Sequence, residues 1–204
     1  MRVLVACEFS GVVRDAFAAR GHDAWSCDLL PSESPGQHLC EDAINVAWRS
    51  GWDLMIAHPP CTHLAVSGAR WFKDKRDAQH KALEFVRALM AAPIPRIALE
   101  NPVSIISTSI RKPDQIVQPW MFGHPETKAT CLWLKALPVL VPTNVVQPDY
   151  MRRKDGSYAT DKKGKRYSRI HWMSGRKGSA ERGRERSRTY PGIATAMADQ
   201  WGAA

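Results

Sequence analysis

The stretch Asp53-Leu-Met-Ile-Ala-His-Pro-Pro-Cys-Thr-His63 joins a short apolar run to two prolines and a cysteine. Leu54 to Ala57 has the pattern of a fully buried strand. Pro59 and Pro60 end it, because proline has no N–H for the ladder and a fixed φ. Cys61 is therefore expected just past the carboxyl end of a buried strand, on a stiff loop. Ligands of open α/β sheets bind at that edge. A thiol held there suits a nucleophile. A buried structural cysteine is the other reading.

Working outward, Arg2 to Cys7 is an apolar opening strand, followed by the tight turn Glu8-Phe-Ser-Gly11. Val12 to Arg20 reads as a helix, with Val13, Ala16 and Phe17 on one face and Gly21 as its stop. This arrangement predicts backbone N–H groups of a helix N-terminus at the sheet's carboxyl edge. Asp23 to Asp28 is the second strand. Its terminal Asp28 is placed either to accept from two ribose hydroxyls or to serve as an ordinary turn aspartate. His38 to Asp42 is a short strand and turn offering Asp42 as a second polar contact, and Ala43 to Arg49 a brief helix.

Beyond Cys61, Asp77 to Met90 has helical spacing of Ala82, Phe85, Val86 and Leu89. Arg96 to Glu100 is the next buried strand, ended by Asn101-Pro102. Glu100 is thus expected at the same edge as Cys61. Burial predicts a carboxyl that keeps its proton near neutral pH and acts as an acid; a surface glutamate at a strand end is the plainer alternative. Ser107 to Pro119 is loop or short helix, Thr130 to Leu134 a strand, and Gly192 to Trp201 a final helix. Strands alternating with helices predict an α/β fold, a mainly parallel sheet with helices on both faces.

At 204 residues with 44% hydrophobic content, the chain suits one domain over residues 1–204. No apolar run approaches membrane-spanning length, and the first residues lack a signal-peptide layout, so a cytoplasmic protein is expected. The five cysteines are odd in number and widely spaced, without a CxxC pair, which argues for reduced thiols and against a metal site.

The net charge of +9 is local. Residues 152–189 hold 14 Lys+Arg against 4 Asp+Glu, while the rest holds 15 against 16. The candidates for contact with nucleic acid are Arg152, Arg153, Lys163, Lys165, Arg166, Arg169 and Arg176. Tyr158, Tyr167 and Trp172 lie among them, a mixture suited to phosphate contact and base stacking. A solvated basic loop is the alternative. Residues 138–186 form a basic irregular segment inserted before the last helix, expected to be poorly ordered without nucleic acid.

Taken together, these residues resemble the DNA cytosine-5 methyltransferases, and most closely short, phage-type members. Phe9-Ser-Gly11 resembles the family's cofactor turn, Pro59-Pro-Cys61 its proline-cysteine motif, and Glu100-Asn-Pro102 its Glu-Asn-Val motif. Ser187-Arg-Thr-Tyr-Pro-Gly192 resembles the last motif, which returns to close the cofactor pocket. Val12-Val13 stands where the family has a second glycine, and Lys128 alone supplies the charge of its Gln-x-Arg-x-Arg segment.

The resemblance implies the Rossmann-like fold of class I S-adenosylmethionine-dependent methyltransferases and S-adenosylmethionine as cofactor. It places the cofactor against Phe9, Ser10, Gly11, Asp28, Asp42 and Pro59, and Lys128 among the residues at the DNA. It implies methylation of C5 of cytosine in DNA, with Cys61 as covalent nucleophile and Glu100 as the acid at N3. The target base must be flipped out or presented unpaired. Two other readings stand beside it: an enzyme modifying free cytosine nucleotides, and a nucleic-acid-binding protein that keeps the fold without turnover.

Overall fold

The computed structural model describes residues 1–67, 76–162, 164–169 and 186–203. Strand β1 (Arg2–Ala6) leads into α1 (Val12–Ala18), β2 (Asp23–Asp28), β3 (His38–Cys40) and α2 (Ala43–Ala47). Then come β4 (Leu54–Ala57), α3 (Arg76–Met90), β5 (Arg96–Pro102), α4 (Ile106–Ser109), β6 (Gln115–Val117) and β7 (Thr130–Lys135). The last helix is α5 (Pro191–Gly202).

All seven strands belong to one sheet of order β3-β2-β1-β4-β5-β7-β6. The pairs up to β5 are parallel; β7 runs antiparallel to both β5 and β6. This is the Rossmann-like, mostly parallel α/β fold expected from the sequence. The chain winds outward from β1 to β3, then returns to lay β4 on the other side of β1. A crevice therefore opens between β1 and β4 at their carboxyl ends, the ligand position of open α/β sheets.

Alternation along each strand sends side chains to two cores. Leu4, Ala6, Met55, Ala57, Ile97 and Leu99 pack with Val46 of α2 and with Val86 and Leu89 of α3. Val3, Val5, Leu54, Ile56 and Ala98 pack with Val13 and Phe17 of α1 and with Ile193, Met197 and Trp201 of α5. Buried tryptophans keep their N–H groups paired: Trp201 donates to the Pro138 carbonyl at 2.9 Å and Trp133 to that of Arg111 at 2.8 Å.

Two elements depart from expectation. β5 continues through Asn101-Pro102, because β7 pairs with it in the register Asn101↔Cys131 and Pro102↔Thr130. A proline at the end of a strand forfeits one donor but does not prevent pairing. β6 lies where only loop or short helix was expected; three residues are too few to show alternation. Among the described residues, no helix is long and apolar enough to cross a membrane.

Candidate active site

Two loops meet at the carboxyl edge. The first follows β4 and carries Cys61; the second follows β5. They are tied together beyond the site: Val66 N–H donates to the Val103 carbonyl and Ile105 N–H to that of Leu64. Nearer the site, the Asn101 side-chain amide donates to the Pro59 carbonyl at 2.8 Å. Asn101 is buried, so this bond is shielded from competing water. Pro59, expected at the cofactor, is buried with its carbonyl engaged by Asn101, and so it anchors the loop.

Cys61 and Glu100 come to one site. Cys61 is exposed on its loop, yet the protein around it removes enough water to push its thiol above its ordinary value; the Glu100 carboxylate adds to this, while Lys128 and Arg186 pull it down. Glu100 is largely buried, with 13% of its side chain exposed. Its Oε2 accepts from His58 Nδ1–H at 3.0 Å. Burial raises the Glu100 carboxyl, but His58, through its hydrogen bond and its electrostatic pull, and Lys128 outweigh it and hold it below the usual carboxylate range. The expectation of a carboxyl protonated near neutral pH is thereby corrected for the free protein. Burial was legible in the sequence; the hydrogen-bonding imidazole was not. His58 lies three residues before Cys61 and was the residue sequence reasoning missed.

Glu100, Lys128 and Thr130 line a narrow cleft. Thr189, Tyr190, Ile193 and Met197 of the C-terminal segment close its other side. The start of α5 fits tightly there. A Cβ on Gly192 would lie 1.9 Å from the Phe122 carbonyl oxygen, and Gly192 N–H donates to His124 Nε2 at 2.9 Å. The Tyr190 hydroxyl is pushed up to about 12 by burial and by Glu126, so it stays a phenol. Lys128, expected at the nucleic acid, donates through Nζ to the Arg186 carbonyl at 2.7 Å and the Arg188 carbonyl at 3.4 Å. It fastens the returning segment and supplies positive field to Glu100 and Cys61.

The turn after β1 is built differently from an open glycine turn. Glu8 is buried, and its carboxylate accepts from Val13 N–H at 2.7 Å, Arg14 N–H at 3.2 Å and the Ser10 hydroxyl at 3.2 Å. The N-terminal N–H groups of α1 are thus capped by the protein's own anion, not presented to a ligand. Arg14, fully buried, donates to the hydroxyls of Ser26 (3.1 Å), Ser32 (3.0 Å) and Ser34 (2.6 Å). It thereby draws the loop after β2 over the turn. Gly11 has φ 76°, and a Cβ there would meet Ser34 Oγ at 2.2 Å. Phe9 also takes part, its carbonyl accepting from Glu33 N–H at 2.8 Å. Ser10 and Gly11 are therefore engaged in packing this loop.

Asp28 and Asp42 are brought together around Cys7. Both carboxylates push its thiol up, after burial, which is the larger cause. Cys7 itself has φ 59°, a left-handed backbone unusual for a residue with a side chain. Asp28 Oδ1 accepts from Leu30 N–H, and Asp42 Oδ1 caps α2 through the N–H groups of Ile44 and Asn45. One oxygen of each carboxylate is thus fixed by backbone. Two oriented carboxylates at the ends of β2 and β3 match the hydroxyl and amino donors of an adenosine. Phosphate would be repelled. The residues present therefore fit the adenosine half of S-adenosylmethionine.

The basic segment has short-range order where it is described. Isolated bridges pair Tyr150 with Ser168, Arg152 with Tyr158, and Thr160 with Arg166, giving a small antiparallel meander. The guanidinium of Arg152 lies 4.4 Å and that of Arg166 4.0 Å from the Tyr158 ring centre. Arg152 also donates to the Tyr158 hydroxyl at 2.9 Å. The tyrosine thus holds two exposed arginines, where the sequence suggested a ring for base stacking. Arg169 is paired with Asp149 at 3.1 Å, while Arg153 and Lys165 are exposed. Lys163 and Arg176 lie outside the described residues.

No known family profile matches the chain, and no curated protein matches it. Solved structures do match. One is a crystal structure described as a candidate DNA modification methyltransferase encoded within a prophage (E. coli). The match covers 79% of this chain at 15% identity and a TM-score of 0.46. The chain spans 60% of that protein's length.

Proposed function

We propose that this protein is an S-adenosylmethionine-dependent methyltransferase acting on C5 of cytosine in DNA through a covalent cysteine adduct. One observation carries the reading: Cys61, on the loop after β4, and Glu100, near the end of the neighbouring strand β5, stand at the same edge of the sheet, where the carboxylate acts on the thiol. Cytosine C5 is a weak nucleophile. Bond formation from the Cys61 sulfur to C6 turns the ring into an enamine that is nucleophilic at C5. Glu100, carrying a proton, hydrogen-bonds N3 and stabilises the charge that builds there. The cofactor supplies the methyl group. Loss of the C5 proton then expels Cys61 and restores the ring.

Lys128 serves this chemistry indirectly, by favouring the thiolate of Cys61 against Glu100. The Asn101–Pro59 bond fixes the loop that carries the thiol, and positioning of this kind is where much of the rate is gained.

A binding protein without turnover is favoured by one observation, the Glu8 carboxylate that occupies the first N–H groups of α1. Trapping separates the two. DNA carrying 5-fluorocytosine cannot lose its C5 substituent after methyl transfer, so an active enzyme stays attached. With S-adenosylmethionine, the wild type is expected to form a denaturation-resistant adduct and Cys61→Ser none. Absence of the adduct from the wild type, or its presence in Cys61→Ser, refutes the cytosine-5 mechanism.

A further inference from the structure

We propose that His58 is the positioning residue of Glu100, and that the two side chains take up the substrate-directed proton as one couple. The inference rests on the cytosine reading above for its substrate, but its geometry is independent of that reading. His58 Nδ1 lies 3.0 Å from Glu100 Oε2, with only 8% and 13% of the two side chains exposed. A carboxylate accepts only, so Nδ1 carries the hydrogen. His58 Nε2 is then left buried with no hydrogen-bond partner among the described residues.

This arrangement decides where an additional proton goes. A proton on Nε2 would make a buried N–H without an acceptor, which is costly. A proton on the second oxygen of Glu100 sits on a residue that lines the cleft. The couple therefore rests with Glu100 ionised and Oε2 fixed. It takes one proton from solvent when a base with an acceptor nitrogen enters. That proton ends between Glu100 and N3, and no other bond changes. Lys128 opposes the uptake, and so keeps the resting carboxylate charged.

Other groups share this environment. Cys61 follows on the same loop, and Cys131 on β7 feels Glu100. Arg186 acts on Cys61. Cys7 and Glu8 follow β1, which pairs with β4 up to Ala6↔Ala57. Of these, Glu8 is turned to the N-terminus of α1. Among the described residues, His58 alone hydrogen-bonds the Glu100 carboxylate.

The sign follows from the direction of the shift. Because His58 holds Glu100 down, replacing it by a residue without a donor leaves burial to raise the carboxyl, so Glu100 keeps its proton to higher pH. The test uses two variants of the full chain, His58→Phe and His58→Asn; the amide of the second restores a neutral donor near Nδ1. Infrared titration of the ¹³C-labelled Glu100 carboxyl reads the free protein. Adduct formation with a 5-fluorocytosine oligonucleotide, measured against pH, reads the site at work.

In His58→Phe the Glu100 titration is expected about one pH unit or more above wild type. The high-pH decline of adduct formation should move with it. His58→Asn should lie between, and recover part of the lost rate. A Glu100 titration unmoved by both variants overturns the proposal. So do rates that fall in parallel with no displacement of the pH profile, the behaviour of mere packing. If the wild type forms no adduct at any pH, the cytosine reading fails, and the titration of the free protein still decides for or against the couple.

Discussion

The buried amide of Asn101 donates to the carbonyl of Pro59 at 2.8 Å, and so joins the loop that carries the thiol to the strand that carries the carboxylate. Residues 100 and 101 are adjacent, yet their side chains do different things: Glu100 faces the cleft, and Asn101 fixes the opposite loop. Asn101→Leu keeps the size but leaves a buried carbonyl unpaired, at a cost of about 1–3 kcal/mol. A lower urea midpoint and slower adduct formation are expected, with the circular dichroism of the native fold retained. Unaltered adduct formation in Asn101→Leu would show that the bond does not position Cys61.

Cys61 chemistry should follow the local field. Burial and Glu100 raise the thiol, so alkylation by iodoacetamide is expected to be slow at pH 7 and to accelerate well into the alkaline range. Glu100→Gln removes the opposing charge and should speed alkylation at fixed pH. Lys128→Gln removes the assisting charge and should slow it. Mass mapping keeps Cys61 apart from Cys40, which is also exposed. Equal rates in both variants would contradict the arrangement of charges described here.

Glu8 is predicted to matter for folding more than for chemistry. Its carboxylate satisfies two N–H groups at the start of α1. Glu8→Ala should lower stability by about 1–2 kcal/mol, read as a shift in the urea midpoint. The predicted loss is larger than for Asp15→Ala, whose half-exposed carboxylate contacts Arg14 and Ser34. A Glu8→Ala midpoint equal to wild type would remove Glu8 from this role.

The two arginines on Tyr158 are predicted to contact phosphate, if nucleic acid is the partner. Both are exposed, and no carboxylate among the described residues forms an ion pair with either. Arg152→Gln with Arg166→Gln should weaken binding to single-stranded DNA and reduce the slope of log affinity against log salt by about 1–2. Arg169→Gln should do less, because Asp149 already neutralises it. A salt slope unchanged in the double variant would place the phosphate contacts elsewhere.

The sequence by itself determined the strands around which the site is built. Leu54 to Ala57, Arg2 to Ala6 and Asp23 to Asp28 are apolar or β-prone runs cut off by turns, and burial on both faces leaves such runs few alternatives. With the strands went the place of Cys61, because Pro59-Pro60 follow the end of β4, and of Glu100, near the carboxyl end of β5. Tertiary structure decided the rest. The antiparallel β7 extended β5 through a proline, and only that pairing made Asn101 a strand residue able to reach Pro59. The protonation of Glu100 hung on which side chain met it in a dry site, and His58 lies 42 positions away along the chain. Likewise Glu8, Arg14 and Lys128 bear charges that composition can count. Their roles come from the partners that packing delivers, since a buried charge is defined by what surrounds it.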